Sequence, residues 1–110
     1  MRQARVYYRE VLAGVLTQDD EGYTFTYEDT YRRLAGATPV SLTLPLSQDT
    51  YHSGTLFPFF DGLIPEGWLL DVARHNWKID PRDRMGLLLA CCKDCIGAVS
   101  VIPINKGDDE

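Results

Sequence analysis

Apolar and polar positions alternate from the start of the chain. Arg5-Val6-Tyr7-Tyr8-Arg9-Glu10-Val11-Leu12-Ala13-Gly14-Val15-Leu16-Thr17 places two β-rich runs around the short polar connection Arg9-Glu10, which predicts a hairpin. Gln18-Asp19-Asp20-Glu21-Gly22 reads as a turn, with Gly22 free to take positive φ. Tyr23-Thr24-Phe25-Thr26-Tyr27 alternates aromatic with threonine, the pattern of a half-buried strand. These runs most simply form an antiparallel meander. Residues 28–33 suit a helical turn that ends near Gly36. Val40-Ser41-Leu42-Thr43-Leu44 alternates again and predicts a further strand closed by Pro45, with 47–54 as a polar loop.

The period then changes to that of a helix. Residues 55–63 are apolar nearly all round, which implies burial on several sides. Residues 65–77 form a second helical segment and 81–93 a third, with Met85, Leu88, Leu89 and Cys92 at helical spacing and Asp80 placed to cap before Pro81. Ala98-Val99-Ser100-Val101-Ile102 is a final strand ended by Pro103. The expected fold class is α+β, a small antiparallel sheet of about five strands packed with about three helices. Residues 1–104 are expected to form one domain and 105–110 a flexible acidic tail.

The segment 65–77 holds an anomaly. Pro65 suits a first helical position, since its missing N–H would have no intrahelical partner there, and Glu66 complements the helix dipole. At about 100° per residue, Leu69, Leu70, Ala73 and Trp77 share one arc, the natural core face. Trp68 falls roughly opposite, beside Asp71 and His75. A large aromatic among polar neighbours does little for folding, but it suits a pocket on another protein. Trp68, with Glu66, Gly67, Asp71 and His75 around it, is therefore the candidate partner-binding site. The remaining large aromatics Phe57, Phe59, Phe60 and Trp77 are expected in the core, and Tyr7, Tyr23, Phe25 and Tyr27 are split between the core and the outer sheet face.

Size and charge narrow the function. At 110 residues the chain can bury one hydrophobic core without a disulfide or metal staple. Its formal net charge of −5 disfavours direct contact with nucleic acid or an anionic membrane surface. Met1-Arg2-Gln3-Ala4-Arg5 leads into a strand-like run, not into a signal peptide, and no apolar run is long enough to span a bilayer. The three cysteines are odd in number and clustered, so no disulfide framework is expected and a reducing cytoplasm is the simplest compartment.

Catalytic patterns are weak. There is no glycine-rich phosphate loop and no Gly-x-Ser-x-Gly elbow. His52 and His75 are the only histidines, and surface positions suit both. Cys92-Lys93-Asp94-Cys95 has redox or zinc spacing, but it falls at a helix end and not at the helix start that lowers a thiol pKa. Cys91, Cys92 and Cys95 give a zinc site no obvious fourth ligand. Asp19, Asp20 and Glu21 read as a solvated turn. No catalytic residue, metal ligand or cofactor is expected.

Several elements together resemble a known family. Ala13-Gly14-Val15-Leu16, Tyr23-Thr24-Phe25-Thr26-Tyr27, Val40-Ser41-Leu42-Thr43-Leu44-Pro45-Leu46, Phe59-Phe60-Asp61-Gly62-Leu63-Ile64-Pro65-Glu66-Gly67 and Asp94-Cys95-Ile96-Gly97-Ala98-Val99 follow in order over most of the length. The chain resembles the N-terminal subdomain of the HipA-like serine/threonine kinase toxins. In that family a kinase core normally follows directly, whereas this sequence ends at Glu110 and has no nucleotide-binding loop, catalytic aspartate or magnesium ligand of its own. The resemblance therefore implies a stand-alone HipS-type antitoxin of a tripartite HipB–HipS–HipT system, which binds and inhibits a HipT-like serine/threonine kinase toxin. It also implies a HipB-like helix-turn-helix protein that makes the DNA contacts. A structural subunit that bridges kinase and DNA-binding protein without inhibiting either is the alternative. A thiol-dependent enzyme built on Cys92 and Cys95 is a further class, which a thiol–disulfide exchange assay would detect.

Overall fold

The computed structural model describes residues 2–64, Gly67, 82–91 and 98–104. Among them are five strands, β1 (Arg2–Tyr8), β2 (Val11–Asp19), β3 (Gly22–Tyr27), β4 (Thr50–Ser53) and β5 (Val99–Ile104), and three helices, α1 (Asp29–Arg32), α2 (Pro58–Asp61) and α3 (Arg84–Cys91). The strands form one antiparallel sheet in the order β4-β3-β2-β1-β5. This is the expected α+β class.

The meander follows from local chemistry. Arg9 and Glu10 close the β1–β2 hairpin with φ of 50° and 70°. Left-handed values at both central positions match the twist of the flanking strands, although glycine and asparagine usually supply them. Gly22 turns β2 into β3 at φ 135°. Pro103 lies within β5, opposite Ala4, and does not end the strand. β5 has one neighbour among the described residues, β1, and a strand paired on one side tolerates a missing N–H that faces the other way.

Strand alternation fixes the core face. Ala4 and Val6 pair across to Leu16 and Gly14 on β2 and to Pro103 and Val101 on β5, and Leu16 pairs on to Phe25. Ala4, Val6, Leu16, Phe25 and Val101 are fully buried. Gly14 is required in this layer, since a Cβ there would stand 2.4 Å from the Thr26 carbonyl oxygen and 2.9 Å from the Phe25 ring. Phe60 of α2 enters the middle of the face, with ring centroids 5.5 Å from Phe25 and 5.1 Å from Phe59. Met85, Leu87 and Leu88 of α3 complete the burial. Gln3, Arg5, Tyr7, Val15, Thr24 and Thr26 alternate onto the opposite face, the usual arrangement of an antiparallel sheet packed on one side.

Three further expectations are corrected. Residues 40–44 form no strand: the chain turns there, with Leu44 N–H donating to the Ser41 carbonyl at 3.1 Å. Val40 and Leu44 are buried while Leu42 is 94% exposed, whereas a strand would have put all three on one face. The strand next to β3 is instead β4, inside the stretch expected to be a loop. The third helix begins at Arg84 and not at Pro81. Asp83 supplies its cap, with Oδ1 accepting from Gly86 N–H at 3.1 Å. Asp80, Pro81, Trp77 and Cys92 lie outside the described residues.

Candidate functional site

Trp68, Glu66, Asp71 and His75 of the expected partner site also lie outside the described residues. Gly67 is described. It is exposed, helical, and has open space where a Cβ would stand.

The described part of the molecule contains a second surface feature, which the alternation of 40–44 concealed. Loop 37–46 has no regular structure, yet side chains of the sheet and of α1 hold its backbone. Tyr27 at the end of β3 donates its hydroxyl hydrogen to the Leu44 carbonyl and accepts from Val40 N–H at 3.0 Å. Tyr31 of α1 donates to the Thr38 carbonyl at 2.5 Å. Tyr51 of β4 donates to the Pro45 carbonyl at 2.6 Å, and Arg32 Nε donates to the Leu46 carbonyl at 3.3 Å. Tyr27 and Tyr31 stack with ring planes 4° apart. Burial of the Tyr27 hydroxyl pushes its pKa up to about 12, against the opposing effect of its hydrogen bond from Val40. Burial likewise raises the Tyr31 pKa.

The tip of this loop is shaped by its own small side chains. Ser41 Oγ accepts from Thr43 N–H at 3.2 Å and lies 3.0 Å from Thr43 Oγ1. Leu42 lies between these two residues and is exposed to solvent. The serine-threonine turn around it was the available sequence signal, and the apolar alternation outweighed it.

Elsewhere the site chemistry is plain. His52 is exposed, with Nδ1 3.1 Å from Thr24 Oγ1. Asp19, Asp20 and Glu21 are a solvated turn, in which Asp19 Oδ1 accepts from Glu21 N–H at 2.8 Å. An open depression of about 430 Å³ runs beside this turn to His52 and Ser53. Among the described residues no group of three or more His, Cys, Asp or Glu side chains could hold a metal ion, and no helix is long and apolar enough to cross a membrane. Cys95 lies outside those residues. What the described surface offers is a hydrogen-bonded loop with an exposed leucine near its tip.

A five-stranded antiparallel sheet, helices packed on one face and a clamped loop define an α+β domain. The chain belongs to the HipA N-terminal domain family, whose model it matches over residues 4–102. The solved N-terminal domain of HipA toxin has the same fold, with a TM-score of 0.77 and 33% identity over 96% of this chain and 95% of that one. An uncharacterized protein of Haemophilus influenzae is 35% identical over 101 residues, which is 92% of each chain. "Putative kinase Y4mE" of Sinorhizobium fredii is 26% identical over 107 residues, and there the match spans only 26% of the relative's length. The likeness is to an N-terminal domain and not to a kinase catalytic domain, and it places the chain among components related to toxin–antitoxin systems.

Proposed function

We propose that this chain is a non-catalytic antitoxin subunit that binds a HipT-like serine/threonine kinase toxin and inhibits it. A HipB-like helix-turn-helix protein would complete the complex and carry the DNA contacts, in the cytoplasm. The observation that supports this most is the contrast between two relatives. The Haemophilus influenzae protein is nearly coextensive with this chain, while in Y4mE the same domain is about a quarter of a longer polypeptide. The family thus occurs both as a small unit and as part of a larger one. A small unit that keeps the domain's surface can occupy a kinase body from outside.

Trp68 is the proposed anchor, with Glu66, Gly67, Asp71 and His75 around it. Tryptophan buries a large area with few rotatable bonds and is enriched among interface hot spots. The test is co-expression of the kinase with this chain, together with a phosphorylation assay on the purified pair. Wild type should suppress toxicity and kinase activity. Trp68→Ala should fold normally and lose about 2 kcal/mol or more of binding, roughly thirtyfold in affinity. Trp77→Ala, a core truncation on the wheel, should instead cost about 3–5 kcal/mol of stability. Trp68→Ala that neutralises at unchanged dose would remove the anchor. Binding that leaves phosphorylation intact would favour the bridging subunit over the inhibitor.

A further inference from the structure

The large hydrophobic residues left exposed in the described chain gather at one end. They are Val11, Leu34 and Leu42, at 44%, 49% and 94% exposure. Val11 follows the Arg9-Glu10 hairpin tip, and Leu34 follows α1. Both line one groove of about 230 Å³, together with Tyr8, Arg9, Tyr31 and Ala37. Loop 37–46 leaves from the wall of this groove, is tied to Tyr27 and Tyr31 at the same end of the sheet, and carries Leu42 at its tip. The acidic β2–β3 turn lies at the other end.

This apolar end is preorganised. Arg9 N–H donates to the Ala98 carbonyl at 2.7 Å, so the hairpin tip is fastened to the strand beside it. Leu34 N–H donates to the Tyr31 carbonyl and Ala37 N–H to the Leu34 carbonyl, each at 3.1 Å, and Gly36 turns the chain at φ 74°. A surface already fixed in one conformation loses less side-chain and loop entropy on binding. One cation stands at the rim: the Arg9 guanidinium carbon lies 5.6 Å over the Tyr8 ring.

We propose that loop 37–46 and the groove at its root form a second contact with the kinase subunit, with Leu42 as the inserted side chain and Arg9 opposite a partner carboxylate. The inference rests on the antitoxin reading. The occupant follows from Y4mE, where a domain of this family makes up about a quarter of a longer polypeptide. An exposed apolar end is surface that such a body can cover, and here the kinase subunit supplies that body. A second copy of the chain is the weaker occupant. One leucine and two half-exposed side chains fall well short of the roughly 800 Å² per partner of a standard interface. The patch therefore works as one part of a larger contact.

The test measures affinity of the full chain for the purified HipT-like kinase, beside Leu42→Asp, Leu42→Met and Leu34→Ser, with thermal melts and sedimentation of each. Leu42→Asp should melt like wild type and bind at least about tenfold more weakly, and Leu42→Met should retain binding. On wild type, kinase binding should slow amide exchange across 37–46, a readout that needs no variant. Wild type that binds while Leu42→Asp binds equally, with no added protection of the loop, overturns this inference and leaves the antitoxin reading standing. Failure of wild type to bind the kinase overturns both. Self-association that Leu42→Asp abolishes at unchanged kinase affinity assigns the patch to a second copy, and the inference falls.

Discussion

Tyr27 shows how much of the fold one side chain can decide. Its ring closes the core beside Phe25, at a centroid distance of 4.8 Å, while its hydroxyl serves both Val40 and Leu44 of the adjacent loop. Tyr27→Phe keeps the ring and strands a buried N–H and carbonyl, so it should cost about 1–3 kcal/mol in a denaturant titration. The same hydroxyl makes the protein sensitive to alkali. Its folded pKa of about 12 lies above the ordinary value of 10.0, so the folded state holds its proton more tightly than the unfolded chain does. That contribution is complete below about 10 and is lost as pH rises through the folded value. Unfolding midpoints followed into this range should fall for wild type and fall less for Tyr27→Phe. The role was half legible in the sequence: alternation placed Tyr27 on a strand, but nothing in it indicated where the hydroxyl would go. Gly14 was legible only as part of a motif. The 2.4 Å approach of Thr26 oxygen gives the reason, and Gly14→Ala would have to push two strands apart.

At the level of elements, the hairpin, its extension to β3 and the last strand were readable because each has period-two alternation and turn residues at its ends. The fourth strand was not. Thr50-Tyr51-His52-Ser53 is short and polar because it is an edge, and only Tyr51 and Ser53 sit opposite core-side residues of β3. Residues 40–44 carried the apolar alternation instead, and tertiary hydrogen bonds from tyrosines overrode it. The helix α3 was legible in its apolar spacing but not in its start, which was expected after Asp80 and follows Asp83 instead. The structure shows what favours Asp83. Arg2, at the far end of the chain, donates from both terminal nitrogens to its two carboxylate oxygens, at 2.9 and 2.6 Å. Arg2 also donates from Nε to Gln18 Oε1 at 2.7 Å, so β1, β2 and α3 meet at one guanidinium. This pair lowers the Asp83 pKa, with the Arg2 hydrogen bond as the leading cause. Stability from it is present above the ordinary aspartate value and is lost as pH falls through the lowered one. Asp83→Ala should remove cap and pair together and cost about 1 kcal/mol or somewhat more. Its melting temperature should approach that of wild type as the solution is acidified, while Asp61→Ala, which loses the 2.6 Å contact with Arg84, tests whether α2 and α3 are held the same way.

Among the described residues, the acidic β2–β3 turn and the exposed large apolar side chains lie at opposite ends of the sheet. Asp19, Asp20 and Glu21 cap one end of the sheet, and the exposed leucines and valine occupy the other. The Trp68 face of 65–77 is an expectation that lies outside the described residues, and a loop has no period from which the sequence could reveal Leu42. Net charge was legible at once, and it carries the broadest prediction. Affinity for DNA rests on neutralising phosphates, and a chain with a formal charge of −5 presents too few cations to do so without a basic stripe. Of its eleven lysines and arginines, Arg2, Arg32 and Arg84 are already paired with Asp83, Asp29 and Asp61. The isolated protein should therefore give no mobility shift with operator DNA at physiological salt. When the proposed helix-turn-helix partner is added, the DNA should shift, and further addition of the proposed kinase partner and this chain should retard that band again without changing the sequence requirement. The salt dependence of the full complex should equal that of the helix-turn-helix protein alone, because counterion release reports only the phosphates contacted. A steeper slope when this chain is present would mean that it touches DNA after all. Its place in the complex would then have to be redrawn, with the acidic turn facing away from the duplex.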